Sequence, residues 1–199
     1  MRYFTSDLHL GSRTLAELRG FGDDVEAYDA CIASMLAALG KDDELWLLGD
    51  LCEPDLEEVV RLREMIPCTT AHVVIGNHDS RTAFATSGLF DSVEHYGEVG
   101  TVSRDGYRFV MSHYPMLHWN GKVDGAYMLH GHIHSLPVGG YRAGEPPCPE
   151  ICDDGRGFCL PGCNESNREA GIRRYDVGVD ANRYRLVSAE EIVAFFAER

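Results

Sequence analysis

The sequence predicts a layered α/β domain built on a mixed sheet. Two observations carry that prediction. Short apolar runs alternate with stretches of helical periodicity through the first half of the chain, and the second half is rich in strand signals. A third observation bears on function. Several apolar runs are followed at once by Asp, Asn or His, at the strand ends where open α/β folds place their chemistry.

The elements follow in order. RYFTSDLHLG opens the chain as a first strand, an apolar stretch ending in Asp7 and His9. The segment behind it, rich in Arg and Gly, reads as a loop. Asp23 or Asp24 then caps a helix in which Val25, Tyr28, Ile32, Met35, Leu36 and Leu39 recur at helical spacing. ELWLL is the next strand and ends in Gly49 and Asp50. Pro54 and Asp55 open a second helix through Val59, Leu62, Arg63 and Ile66, which Pro67 stops. AHVVI is a third strand, leading into Gly76, Asn77, His78 and Asp79, and residues 80–90 read as irregular or weakly helical. EVGTVS and YRFVMS flank Asp105-Gly106, a hairpin signal, and the second of them runs into His113. AYMLHGHIH carries a strand into His132 and His134. A Cys/Gly/Pro-rich insertion at about residues 135–171 reads as a long stretch without regular structure. The chain closes on strand-like RYDVGVD, a short RYRLV and a helix from Ser188, where Ser188 and Glu191 have capping-box spacing. One domain over residues 1–199 accommodates these elements, and no internal repeat divides it.

Composition narrows the function classes. At 44% hydrophobic and 25% charged, the chain can bury a substantial core. Its formal net charge of −14 argues against a broad nucleic-acid surface, so nucleic acid is disfavoured as a partner. No apolar segment approaches the length of a membrane span. The start MRYFTSDLHL lacks the apolar run of a signal peptide, so the expected location is cytoplasmic. Oligomeric state is left open.

The strand-end groups are Asp7, His9, Asp50, Asn77, His113, His132 and His134. Alone, Gly-Asn-His-Asp is ordinary turn chemistry; its company makes it part of a site. Carboxylates, an amide oxygen and imidazoles suit borderline divalent ions such as Mn, Fe, Zn or Co. These seven groups are too many for one ion. If one carboxylate bridges, two ions gain protein ligands and keep positions open for water, the clamp used for in-line displacement at phosphorus.

The ordered series D-x-H at Asp7, G-D at Gly49, G-N-H-D at Gly76, an isolated His113 and G-H-x-H at Gly131 resembles the calcineurin-like metallophosphoesterases. DVGVDANRYRLVSAEEI resembles the ending of small bacterial and phage-type members, so only the Cys-rich insertion falls outside the resemblance. The resemblance implies a four-layer α/β/β/α sandwich of two mixed sheets flanked by helices, with metals at the C-terminal strand ends. It implies that Asp7, His9 and His134 hold one metal, that Asn77, His113 and His132 hold the other, and that Asp50 bridges them. His78 matches the histidine that touches substrate. The implied activity is hydrolysis of phosphodiester, or phosphomonoester, bonds in a small phosphorylated substrate by a metal-bridging hydroxide, with manganese among the candidate ions. Two divalent cations, two carboxylates and a hydroxide sum to about +1, which attracts anions to the site of an acidic protein. His78 would protonate a leaving alkoxide or hydrogen-bond a phosphate oxygen, with Asp79 or Glu53 orienting its ring. Many relatives carry Asp in the place of Glu53, and some small members a histidine in the place of Ser12.

Two alternatives stand beside this reading. A nuclease of the same superfamily usually adds a capping domain and a basic track, and neither is visible here. A non-catalytic metal-bound scaffold typically lacks the catalytic histidine or several ligands, whereas all are present here.

The remaining polar residues read more plainly. His72, His95 and His118 are expected as surface or loop histidines, and Arg13, Arg19 and Arg81 as exposed arginines with phosphate contact the alternative. Tyr114 and Pro115 shape the loop that presents His113. Cys31, Cys52 and Cys68 are scattered, as small core residues are. Cys148, Cys152, Cys159 and Cys163 form two C-x-x-x-C pairs separated by six residues, a spacing that suits one structural zinc, with disulfides or free thiols the alternatives.

Overall fold

A computed structural model describes residues 1–94, 101–102, 106–141, 145–146 and 162–197. The apolar runs of the first half become β1 (Arg2–Thr5), β2 (Glu44–Leu47) and β3 (Thr70–Val74), side by side and parallel. Their buried central residues, Phe4, Leu45, Trp46, Leu47 and Val73, are apolar because both faces of the sheet are covered. Leu45 and Leu47 face the core shared with α2 (Val25–Leu36), α3 (Leu56–Glu64) and α4 (Arg81–Ser87), while Trp46 and Leu48 face a second sheet. β4 (Ser92–Glu94) extends one edge in parallel, and β9 (Val187–Ser188) closes the other edge antiparallel to β1. The sheet order is β4-β3-β2-β1-β9.

The second sheet has β5 (Thr101–Val102), β6 (Arg108–Met111), β7 (Tyr127–His130) and β8 (Arg174–Asp176) in sequential order, the last three parallel. Period-2 alternation again assigns the faces. Phe109, Met111, Tyr127 and Leu129 interleave with Phe4, Trp46, Leu48 and Val74 of the first sheet, and Ile192 of α6 (Ala189–Ala197) joins that core. Val110 and Met128 turn outward beneath Trp119 and Ala126. Two sheets therefore lie back to back, flanked by helices. Among the described residues the outer face of the second carries a 3₁₀ turn at Lys122–Asp124 and α5 (Cys163–Glu169), whose Asn164 exchanges hydrogen bonds with the Asp176 peptide at 2.7 and 3.1 Å.

Local chemistry sets the helix ends. Asp24 and Asp55 cap α2 and α3, accepting from Ala27 N and Glu58 N at 2.9 Å. Ser188 and Glu191 form the reciprocal capping box of α6, with bonds of 3.1 and 2.8 Å. The predicted hairpin pairs β5 with β6; residues 103–105 of its turn lie outside the described residues.

Several expectations are corrected. The loop expected after β1 contains a short helix, α1 (Arg13–Leu18), which buries only Ala16. Residues 80–90 hold a formed helix, α4, capped by Ser80 and ended by Gly88 at φ 65°. The insertion expected to lack regular structure contains α5, opened by Cys163; Cys148, Cys152 and Cys159 lie outside the described residues. RYDVGVD is a strand only at Arg174–Asp176 and then turns. Among the described residues no helix is long and apolar enough to cross a membrane.

Candidate metal centre

β1, β2 and β3 end on the same side as β6 and β7, and the polar residues just past those ends converge. Asp7, His9 and His134 bring one donor atom each within 4.8 Å of one another, and so do Asp50, His113 and His132. Asp7, His9 and Asp50 come from the first sheet, and His113, His132 and His134 from the second. Backbone geometry shows how hard the chain turns here. Asp7, His9, Asp50, His132 and His134 all have left-handed φ, between 44° and 73°. For a residue with a Cβ that conformation costs on the order of 1–2 kcal/mol, and such strain gathers at functional sites. Close approach also fixes the neighbouring glycines: a Cβ on Gly76 would lie 2.2 Å from Asp50 Oδ1.

Hydrogen bonds orient the donors. Asp7 Oδ2 accepts from Ser6 Oγ at 2.6 Å, and both Asp7 oxygens accept from His132 N at 3.0 and 3.1 Å. His113 Nδ1 donates to Leu48 O at 2.9 Å, which leaves Nε2 facing Asn77 Oδ1 at 3.0 Å and Asp50 Oδ2 at 3.3 Å. His134 turns Nδ1 to Asp180 Oδ2 at 2.8 Å and Nε2 towards Asp7 Oδ1 at 3.8 Å. His78 is exposed, its ring 5.3 Å from that of His9, and its backbone N–H donates to Asp50 Oδ1 at 2.8 Å. Tyr114 packs its ring edge-on to His132 at 4.6 Å.

Electrostatics follow from this crowding. Burial raises the Asp7 pKa to about 6, against the pull of His134 and His113. Burial also works to raise Asp50, but the hydrogen bond and charge of His113 and the His78 N–H outweigh it and hold Asp50 at about 2. His113 is pushed to about 9: burial opposes its charge, and Asp50 and Asp7 overcome that. Burial lowers His9 well below the ordinary histidine value, with Arg19 and His134 adding to it.

The donor set fits divalent ions. His9 Nε2 is buried and has no hydrogen-bond partner among the described residues. Around His113 Nε2, two oxygen atoms face a nitrogen whose other side already donates, an arrangement that suits a cation. Among the protein groups alone a proton takes that place, which is the meaning of the raised His113 pKa. Asn77, outside the two three-residue groups, reaches the second through this contact.

Not every expected role matches a contact. Asp79 turns away from the role of orienting His78: its carboxylate accepts from Gly76 N, Asp50 N and Leu51 N at 2.7–2.8 Å, tying the β2 and β3 end loops together. Glu53 is exposed and packs its Cγ near Gly11. Arg19, expected as exposed, is fully buried. Its Nε and Nη2 bond both oxygens of the equally buried Asp180, at 2.9 and 2.6 Å, and Nη2 also donates to Asp7 O at 2.8 Å. Burial works to raise Asp180, but the Arg19 charge and His134 hold it at about 2. His72, expected at the surface, is half-buried and stacks on Trp46. His118 and Arg13 are exposed as expected, and His95 lies outside the described residues. Asp180 escaped the sequence reading; its one local signal is an acidic residue just past an apolar alternation, as at the other strand ends.

Two back-to-back sheets that bring carboxylates and imidazoles together at their C-terminal strand ends define a metal-site class of α/β protein. The chain belongs to the calcineurin-like phosphoesterase superfamily, whose domain matches residues 3–169. It is 32% identical over 164 residues to the gene 66 protein of Mycobacterium phage L5, covering 67% of this chain and 77% of that protein. It is 28% identical over 158 residues to the gene 66 protein of Mycobacterium phage D29, covering 67% and 78%. A crystal structure of a protein of unknown function from Aquifex aeolicus shares the fold, with a TM-score of 0.61 at 21% identity and 98% of each chain covered.

Proposed function

We propose that the protein is a metal-dependent phosphodiesterase acting on a small phosphorylated substrate through a two-ion centre. The observation that carries the reading is the position of Asp50 Oδ2, 3.7 Å from His9 Nε2 and 3.3 Å from His113 Nε2, between one imidazole of each donor group. Asp7, His9 and His134 would hold one ion, Asn77, His113 and His132 the other, and Asp50 both. Mn, Fe, Zn and Co suit that mixture of nitrogen and oxygen donors. Bound there, divalent ions supply Lewis acidity towards a phosphoryl oxygen and lower the pKa of a coordinated water.

The chain's own residues do the rest. Asp50 is held ionised and is fixed by the His78 N–H, so its second oxygen stays directed at the donors. His113 and His134 are locked through Nδ1 and present Nε2 inward. His78, exposed beside His9, is placed to meet the substrate. A water first gives a proton to solvent; the resulting hydroxide oxygen would bond to phosphorus as the bond to the leaving oxygen breaks, and a protonated His78 would donate its proton to that leaving oxygen and regain one from solvent. Hydrolysis of bis(p-nitrophenyl) phosphate tests the proposal. Chelation is expected to abolish turnover and Mn²⁺ to restore it, and Asp50→Asn is expected to lower both metal content and rate more than any other single ligand change. Full metal occupancy in an active Asp50→Asn variant refutes the bridging assignment.

A further inference from the structure

We propose that Asp180 and Arg19 form a positioning pair that sets His134 and Asp7 for one metal and bears far less on the other site. The inference rests on the metal-centre reading and adds residues that contact ligands without being ligands. Both side chains are wholly buried, in a region where neither charge is stable alone. Asp180 Oδ2 lies 2.8 Å from His134 Nδ1 and 2.6 Å from Arg19 Nη2.

A carboxylate only accepts and a guanidinium only donates, so the two neighbours of Nδ1 are not equivalent. Arg19 Nη2 stands 3.3 Å from Nδ1, half an ångström beyond the carboxylate oxygen. In the neutral ring that binds a metal, the proton therefore sits on Nδ1 and points at Asp180. The lone pair sits on Nε2, on the side of Asp7 Oδ1.

The same guanidinium reaches the other sheet. Nη2 donates to Asp7 O at 2.8 Å, and Nη1 bonds the Tyr28 hydroxyl, which in turn donates to Leu8 O. Arg19 thus holds successive carbonyls of a loop whose Asp7 and His9 are both in left-handed conformations. Asp7 leaves β1 and His134 follows β7, so one ion pair fixes two ligands that come from different sheets. The second donor group has mostly other support: His113 rests on Leu48 O and Asp50 on the His78 N–H, and only the His132 N–H touches the Asp7 carboxylate, which Asp180→Asn leaves in place.

Asp180→Asn tests this. The amide keeps the volume, but it cannot be acceptor-only and leaves Arg19 without its counter-charge. Removing such an orienting partner typically weakens metal binding by about 10–100-fold. Titration of Mn²⁺ by calorimetry, with metals counted after desalting, is expected to show two sites in the wild type and one weakened by that factor in Asp180→Asn. The remaining site keeps its affinity. Arg19→Lys, which retains the charge but not the fork, is expected to weaken the same site by a smaller factor. Unchanged affinity at both sites in a folded Asp180→Asn protein overturns the inference, as does equal weakening of both.

A measurement on the zinc-loaded wild type covers the case in which the variants do not fold. Long-range ¹⁵N–¹H spectra are expected to show an exchange-protected proton on His134 Nδ1, with the metal on Nε2. The opposite tautomer overturns the proposal. If the wild type binds no metal, the metal-centre reading itself fails, a result distinct from all the others.

Discussion

Replacing Gly76 by alanine probes the closest contact in the site. An added Cβ would stand 2.2 Å from Asp50 Oδ1 and 2.4 Å from Asp50 N, more than an ångström short of ordinary contact. The obstacle is a buried carboxylate and a peptide, so neither swings aside easily. Overpacking of this kind costs about 1–3 kcal/mol. Displacing Asp50 also strains its 2.8 Å bond from the His78 N–H, and a hydrogen bond to a charged group contributes about 1.5–3 kcal/mol. A combined loss of about 3 kcal/mol lowers Tm by about 6–12 °C in a domain of this size. The carboxylate must also move further than the roughly 0.5 Å that a metal site tolerates, so Mn²⁺ affinity falls together with stability. Gly88→Ala is the control. Gly88 has φ 65° and open space around its Cβ position, so alanine there meets only the backbone penalty of about 1 kcal/mol. Melting followed by calorimetric Mn²⁺ titration separates the two. Equal Tm losses with Mn²⁺ binding intact in both variants would refute the steric argument.

Other outcomes follow from the same geometry. His78→Ala is expected to retain its metals and lose about 10²–10⁴-fold in kcat, with a smaller loss for nitrophenolate leaving groups, which need little protonation; loss of metal in that variant would make His78 a ligand instead. Metal uptake should depend on pH, because an ion must displace the proton that holds His113 at about 9 and, in acid, the one that holds Asp7 at about 6. Mn²⁺ affinity is therefore expected to rise about tenfold per pH unit between pH 6 and 9 and more steeply below, and a flat titration would contradict it. Ser188→Ala removes half of the α6 capping box and should cost about 1 kcal/mol, read as a Tm lower by about 2–4 °C with Mn²⁺ binding unchanged.

What the sequence discloses depends on which force builds each part. β2 and β3 stand out because both faces of the first sheet are buried, and α2 because Tyr28, Ile32, Met35 and Leu36 line one stripe below the Asp24 cap. α5 does not stand out. CNESNRE buries Asn164 and Asn167, whose amides bond to β8 and its neighbours, so no apolar period marks the helix. α1 buries a single alanine, and β4 is three residues long. The polar residues of the site are conspicuous because each interrupts an apolar run. Their sorting into two groups is a property of how two sheets face each other, which local sequence does not encode. Arg19 and Asp180 are the extreme case: Arg19 looks like any loop arginine until a partner 161 residues away meets it.

That separation has a consequence for biosynthesis. Asp7, Asp50 and Asn77 leave the ribosome early, and the first sheet can gather most of its strands while the rest of the chain is still being made. β9, on the edge of that sheet, must wait, as must His132, His134 and finally Asp180. Contacts that close so large a loop form slowly, because the chain entropy is lost before the contact can stabilise anything. The donor set can thus close only once the second half of the chain is present, and a nascent or truncated chain carries carboxylates able to attract a cation without the imidazoles that complete the set. On this scaffold, topology lets the donor set close only when both sheets are in place.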